Sequence, residues 1–206
     1  MTRTRSLLAA VLITAVLTAM TGCSEAPKKT EVEKPVEPVT GSHALFQMYT
    51  GARAWAQDLR VLRMTSINVA AVKPQPGRAG AWQVTFVSPS LGQSRTYTYS
   101  VIEASTTLRK GIFSENPRSW GGPSGSEKPF LIDAVKIDSD DAYKTALKKA
   151  AAFESKHPGM TMSYLLEMND RFPDAVWRII WGESASTSGF SVFVDASTGE
   201  YLEKLT

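Results

Sequence analysis

The chain has 206 residues, 43% of them hydrophobic, and it carries 23 basic and 20 acidic side chains. Two of the basic residues lie in the first 22 positions, a segment that we expect to be cleaved off, which leaves 21 basic side chains against 20 acidic ones. This balance excludes the basic surface of a nucleic-acid-binding protein, and no nucleic-acid partner is expected. A chain of this length forms one mid-sized domain or two small ones.

The N-terminus has the pattern of a secretory signal peptide. Two arginines precede an apolar run from Leu7 to Met20, which is shorter than the roughly 20 apolar residues of a membrane-spanning helix. A polar stretch begins directly after Gly22 and Cys23. The pattern predicts a signal peptide of residues 1–22 that is cleaved between these two residues.

The sequence Met20-Thr21-Gly22-Cys23 resembles the lipobox of bacterial lipoproteins, in which a small residue precedes the cysteine that receives the lipid. Met20 departs from the commonest lipobox, which has leucine there. Cys23 is the single cysteine of the chain, so it cannot form an internal disulfide, and acylation would remove a free thiol from an oxidising compartment. We therefore expect lipidation at Cys23, with palmitate among the acyl groups, and a membrane as a partner through that lipid.

Two alternatives stay open for this segment: an ordinary cleaved signal followed by an incidental cysteine, and an uncleaved anchor. Lipidation at Cys23 would place the protein in a bacterial cell envelope. Ser24 then favours the periplasmic face of the outer membrane, because in Gram-negative lipoproteins a residue other than aspartate at this position usually implies transfer there.

Two segments are too polar, or too rich in glycine and proline, to belong to a packed unit. Residues 24–41 contain three prolines, three lysines and four glutamates but no aromatic residue, so residues 23–41 are predicted to be a disordered tether. Glycine and proline cluster again between Gly111 and Pro129. Residues 113–129 are therefore predicted to be a linker.

The first unit, residues 42–112, is predicted to begin with a helix that has Ser42 as its N-cap. Its apolar face recurs at spacings of three and four residues, at Leu45, Met48, Ala52, Trp55 and Leu59. Strand-like runs follow at Leu62–Val72, Trp82–Ser88 and Arg95–Glu103. Alternating apolar and polar residues in the later runs are typical of an antiparallel sheet with one covered face.

The second unit, residues 130–206, is predicted to begin its helix at the acidic run Asp138–Asp141 and to end it at His157-Pro158-Gly159. The apolar face of this helix consists of Ala142, Ala146, Ala150 and Phe153. Strand-like runs follow at Met162–Met168, Ala175–Trp181 and Phe190–Asp195. The middle run has apolar residues on both faces, so we expect the other half of the chain to cover its second face.

The two units share an order of elements, a helix followed by three strands. The segment Tyr99–Thr106 can also be laid on Ser191–Thr198, with Ala-Ser-Thr after an acidic residue in both. These features predict an internal duplication. The expected fold class is α+β, with two tandem units that each pack a helix against an antiparallel sheet.

Three stretches of the second unit carry a family resemblance: Ile137–Ala142 at the helix start, Ala175–Trp181 as a middle strand, and Phe193–Leu202 with its Val-Asp-Ala-Ser-Thr-Gly-Glu. Residues 137–205 thereby resemble a PepSY domain, and residues 42–112 match loosely through the duplication. The resemblance implies a small cystatin-like α+β unit of exported proteins, associated with inhibition or chaperoning of secreted peptidases. It implies no universal catalytic residues.

The turn after the last long strand is predicted to be structural. Asp195 and Thr198 can bind backbone N–H groups there, and Gly199 can supply a positive φ. The alternative, in which Asp195 and Glu200 ligate a metal, has weak support because two carboxylates in a turn lack further spaced ligands.

Residues that could perform chemistry do not form a recognisable site in the sequence. His43 and His157 lie in no catalytic motif and have no metal-ligand spacing between them. The acidic run at Asp138 is better explained by helix capping. We therefore predict no catalytic residue, no metal and no cofactor, and we expect Trp120, in the glycine-rich linker, to be a contact residue.

These observations lead to the expectation of a non-enzymatic, membrane-anchored lipoprotein that binds or restrains another envelope protein, such as a peptidase. An alternative is an envelope ligand-binding protein with a pocket between the two units. A hydrolase with an unrecognised site is a third. A cavity between the halves would favour the second reading, and an open strand edge or flat patch would favour the first.

The anchor prediction can be tested by Cys23→Ser. Because the thiol is the acyl acceptor, the variant should carry no acyl label and should remain unprocessed or be cleaved elsewhere. Mass spectrometry of the membrane-extracted protein with metabolic acyl labelling measures both outcomes. A variant with the wild-type mature mass and the wild-type label would show that lipidation at Cys23 is wrong.

Overall fold

The computed structural model describes residues 35–206, in which two α-helices lie on one face of an antiparallel sheet. In chain order the elements are β1 (Val39–Thr40), α1 (Gly41–Ala52), β2 (Arg60–Ile67), β3 (Arg78–Ala79), β4 (Ala81–Ser88), β5 (Gln93–Ser100), β6 (Gly111–Ser114), β7 (Arg118–Ser119), a 3-10 turn (Ile132–Ala134), α2 (Ser139–Lys156), β8 (Met162–Glu167), β9 (Val176–Trp181), β10 (Phe190–Asp195) and β11 (Tyr201–Leu205). The predicted α+β class is confirmed.

The described part of the chain forms a nine-stranded sheet in the order β11-β10-β9-β8-β2-β4-β5-β6, with β7 also paired to β5. The first strands of the two halves, β2 and β8, pair antiparallel, with Met64 opposite Leu166. The halves therefore join edge to edge, and residues 35–206 form one compact unit. The short strands β1 and β3 form a separate two-stranded pair.

Helix α1 begins earlier and ends earlier than its sequence pattern predicts. Its N-cap is Thr40 instead of Ser42. Strand β1 and the first helical residue lie within residues 23–41, so the predicted tether extends too far at its C-terminal end. The helix stops at Ala52, where turns stabilised by backbone bonds to the Ala52 carbonyl take over. Trp55 and Leu59 therefore lie beyond the helix, although Leu59 is buried as predicted for a core residue.

Helix α2 agrees with the sequence prediction. Asp138 is the N-cap, and Ala142, Ala146 and Ala150 are fully buried against the sheet. The helix ends at Lys156, and Gly159 takes a φ of +76° just before the chain enters β8. Glycine adopts this left-handed backbone without the steric cost that a Cβ imposes.

Each half contains a tryptophan whose ring N–H forms a hydrogen bond that connects the sheet to the N-terminus of the helix. The Trp82 ring N–H donates to the Val39 carbonyl at 3.0 Å, and the Trp177 ring N–H donates to the Ile137 carbonyl at 2.8 Å. Both carbonyls directly precede a helix N-cap. The two buried rings meet edge to face at a centroid distance of 6.2 Å, a favourable aromatic geometry at the centre of the core.

This repeated bond corrects the sequence alignment of the two halves. Strand register places Tyr99 opposite Trp82 and Val194 opposite Trp177. Tyr99 is therefore the structural counterpart of Val194, whereas the shared Ala-Ser-Thr places it on Ser191. The short sequence match is displaced by three residues because it rests on turn residues, and turns differ in length between the halves.

The prediction that the other half covers the second face of β9 is wrong. Phe172 packs there against Val176 and Phe193, with the two phenyl rings 4.7 Å apart. The turn after β9 folds over the same face, where the Arg178 guanidinium donates to the Ala185 carbonyl at 3.3 Å. Because the halves pair edge to edge, segments next to β9 in the chain cover this face.

The predicted linker, residues 113–129, also contains strand β7 and the end of β6.

The N-termini of both helices meet at one buried polar cluster, formed by Gly41, Gly77, Asp138 and Ser139. The Ser139 hydroxyl donates to the Gly77 carbonyl at 2.6 Å and accepts the Gly41 N–H at 2.7 Å. The Asp138 carboxylate accepts the N–H groups of Ser139 at 2.7 Å and of Ser42 at 2.8 Å. One carboxylate thus caps two helices, where their dipoles favour negative charge.

Replacing Ser139 by alanine should destabilise the protein strongly. The change leaves the Gly41 N–H and the Gly77 carbonyl buried without this partner, at an expected cost of about 2–4 kcal/mol in the free energy of unfolding. Ser155→Ala, on the exposed side of the same helix, is the matched control and should cost about 0.5 kcal/mol or less. Urea denaturation measures both, and equal stabilities would contradict the role of Ser139.

Candidate functional site

The sequence-predicted residues fall at separate places. Gly22 and Cys23 lie outside the residues that the structure describes, so the lipidation site stays a prediction. His43 packs edge-on against Tyr99, and His157 stacks on Phe153 at a centroid distance of 4.2 Å. Trp120 is half-buried, and its backbone N–H donates to the Gly92 carbonyl at 2.9 Å. Its role as a contact residue also stays a prediction.

The turn of Asp195, Thr198 and Gly199 uses its polar groups internally. The Asp195 carboxylate accepts the N–H groups of Ser197 and Thr198, each at 2.8 Å. The Thr198 hydroxyl accepts the Glu200 N–H at 3.2 Å. Gly199 has a φ of +78°, and its N–H donates to the Asp195 carbonyl at 2.9 Å. This geometry is that of a turn-forming network.

A cavity of about 370 Å³ lies where the two halves meet, and we call it the junction pocket. The first half supplies one wall through the segment Asn68–Gly80, which connects β2 to β4. The second half supplies the other through Tyr143 and Glu154 of α2 and through residues 159–162 and Tyr164. The volume lies within the range of about 300–1,000 Å³ that is usual for ligand sites.

The lining of the junction pocket is largely apolar and includes Val69, Val72, Met160 and Met162. Its charged members are Lys73, Arg78 and Glu154. Arg78 lies 3.6 Å from Asp140, and this ion pair is partly exposed. Such a mixture of apolar wall and a few polar groups is typical of a site that orients a bound molecule.

Three polar side chains line the pocket close to one another. The Tyr143 hydroxyl donates to Glu154 Oε1 at 2.9 Å, and the Tyr164 hydroxyl accepts the Gly77 N–H at 2.8 Å. Burial raises the pKa of Tyr164 to about 12, although the Gly77 bond opposes the shift. Burial also raises the pKa of Tyr143, and the bond to Glu154 adds to this effect. Both tyrosines therefore remain neutral donors at physiological pH.

The second carboxylate oxygen of Glu154, Oε2, is buried and has no hydrogen-bond partner within the described residues. A buried acceptor without a partner costs roughly 1–3 kcal/mol, so each such atom calls for an explanation such as a bound water, ion or ligand. Sequence reasoning missed Glu154 because it followed the apolar face of α2. The sequence signal for Glu154 was its position directly after Phe153, which belongs to the apolar face of α2. The pocket could not be predicted, because the residues that line it are far apart in the chain.

Residues 35–206 also lack a metal-ligand group and a membrane-spanning helix. This part of the chain contains no group of three or more histidine, aspartate or glutamate side chains arranged to hold a metal ion. None of its helices combines the length and the apolar character that crossing a membrane requires.

A second cavity of about 380 Å³ lies beside Asp195, Tyr201 and the ion pair of Arg171 with Glu203.

Comparison with known proteins gives limited information. No protein-family model matches the chain, and no curated protein sequence matches it. A candidate lipoprotein from Clostridium difficile 630, known from a crystal structure, is similar in chain path, with a TM-score of 0.49 and 10% sequence identity. The similarity covers 84% of this chain and 95% of that one. At this level the likeness transfers no function.

Two variants separate a structural turn from a functional one at residues 195–199. Gly199→Val should lower the free energy of unfolding by roughly 1–3 kcal/mol, because a β-branched residue is strained at a φ of +78°. Asp195→Asn keeps the size and one acceptor oxygen, so it should melt close to wild type. Thermal melts beside partner pull-down measure the pair. An Asp195→Asn protein with a normal melt that has lost its partner or a bound cation would mark the turn as functional.

Proposed function

We propose that this protein is a non-enzymatic envelope lipoprotein, anchored through Cys23, that binds a segment of another envelope protein in the junction pocket. The observation that supports this proposal is the pocket itself, a concave and mostly apolar cavity between the two halves that a few polar side chains also line. The partner class is an exported protein such as a peptidase, as the PepSY-like second half implies. A small envelope ligand in the same pocket is the second candidate.

An open sheet edge offers a rival place for a protein partner. Strand β11 is the last strand of the sheet on one side, and Leu202 on it is 40% exposed. Addition of a partner strand to such an edge is a common mode of peptide binding. However, β11 carries Glu203 and Lys204, and charges of this kind are typical of edges that resist pairing. We therefore assign the partner to the junction pocket.

The proposal predicts that filling the pocket mouth abolishes partner binding. Ala70 is exposed and lines the pocket, so Ala70→Trp should block entry without disturbing the core. Ala71 is equally exposed but does not line the pocket, which makes Ala71→Trp the matched control. Affinity purification of the anchored protein from its own membranes, followed by mass spectrometry, should recover the partner with wild type and Ala71→Trp only. Equal recovery with Ala70→Trp would contradict the pocket as the binding site.

A further inference from the structure

Glu154 contributes to the junction pocket one carboxylate oxygen that no described residue satisfies. Tyr143 occupies one oxygen of the Glu154 carboxylate, and the other oxygen is buried without a partner in the described chain. None of the ion pairs among residues 35–206 includes Glu154. Arg78 lies near Asp140, and Lys73 is on an exposed part of the wall. The carboxylate therefore has no cationic partner among the described residues.

The unsatisfied oxygen restricts what a ligand can bring. A carboxylate oxygen accepts hydrogen bonds and cannot donate them, so the complementary group is an N–H or O–H donor. A positively charged donor is favoured over a neutral one, because charge-assisted hydrogen bonds are roughly twice as strong. A phosphate or carboxylate placed at Glu154 Oε2 would instead meet a like charge, although Lys73 and Arg78 elsewhere in the lining are cationic. Tyr143 and Tyr164 also line the pocket, and an aromatic ring attracts a cation that lies over its face.

The rest of the lining fits an apolar stem. Val69, Val72, Met160 and Met162 contribute aliphatic surface and flexible thioethers to the walls. A cavity of about 370 Å³ has room for a short unbranched chain but not for a large headgroup. A stem that lies along these side chains could place its charged end beside Glu154, which the Tyr143 hydroxyl also contacts.

We propose that the junction pocket binds a primary ammonium group on an unbranched apolar stem, with Glu154 as the anion that receives it. This assignment rests on the proposed function, since it names the chemistry of the molecule held in the same pocket. The ammonium supplies the donor that Glu154 Oε2 lacks, and the apolar walls enclose the methylene groups. Two sources present this chemistry: a lysine side chain of a polypeptide partner and a free alkylamine.

The test is isothermal titration of the full mature chain in a nonionic detergent with three probes. n-Pentylammonium represents a free alkylamine, Nα-acetyl-lysine N-methylamide represents a lysine side chain in a peptide, and n-pentanol is the neutral analogue. Both ammonium probes should bind saturably and at least about tenfold tighter than pentanol. Tighter binding of the lysine probe identifies a polypeptide source, and tighter binding of pentylammonium identifies a free amine.

Glu154→Gln is the deciding variant, because it keeps the shape and one acceptor oxygen but removes the charge. Affinity for the ammonium probes should fall about tenfold or more, a loss that corresponds to one charge-assisted hydrogen bond. Glu183→Gln removes the same charge at an exposed site outside the pocket and should leave the affinity unchanged. A thermal melt of each variant verifies that the fold persists.

Three results would overturn the assignment: no saturable ammonium binding at millimolar concentration, unchanged affinity in Glu154→Gln, or equal binding of pentanol and pentylammonium. The proposed function fails by a different result, the retention of the natural partner by Ala70→Trp. A pocket that binds pentanol as well as the ammonium, and whose partner is lost in Ala70→Trp, would keep its proposed function with a neutral apolar ligand.

Discussion

The two helix N-termini share one carboxylate and one hydroxyl, and the arrangement of the halves depends on this contact. Asp138 caps the start of both α1 and α2, while Ser139 joins the first residue of α1 to the connection between β2 and β4. The bonds of Ser139 are buried and those of Asp138 are partly buried, and Gly41 lies against Trp177 of the Trp82–Trp177 pair. A buried polar network is stabilising only when its members are satisfied, so the positions of the helices and of this connection are determined together.

The same contact explains why a pocket forms between the halves. Pairing of β2 with β8 makes one sheet from two, which places the β2–β4 connection over the start of β8. The cluster holds this connection through Gly77, whose N–H donates to Tyr164 and whose carbonyl accepts from Ser139. Gly77 has a φ of +72°, and a Cβ there would overlap Asp140, so glycine is required at this close approach. One wall of the pocket is thereby fixed to the core.

The pocket and the turn at residues 195–199 differ in how they use their polar groups. The turn at residues 195–199 pairs its side chains with neighbouring backbone N–H groups, which is sufficient to explain why Asp195, Thr198 and Gly199 are present. The pocket holds two neutral tyrosines and a carboxylate with an oxygen that no described residue satisfies. A group of this kind lowers stability unless something binds it. We therefore expect a ligand to bind in the pocket, and we expect the turn to contribute to the stability of the fold.

The sequence by itself determined the local elements: α2 with its alanine face and its end just before His157-Pro158-Gly159, the alternating strands β4 and β5, and the α+β class. Periodicity, capping and turn residues act over a few positions, so one sequence is enough to predict them. It also supplied the signal-peptide pattern and the Cys23 prediction, which depend on linear motifs. Only the tertiary structure decided that the halves join edge to edge and that Tyr143, Glu154 and Tyr164 meet near Gly77. These contacts join residues as far apart as Arg63 and Glu167, 104 positions along the chain. Their free energy comes from packing and from buried polar groups that meet only in the fold, which no local pattern encodes.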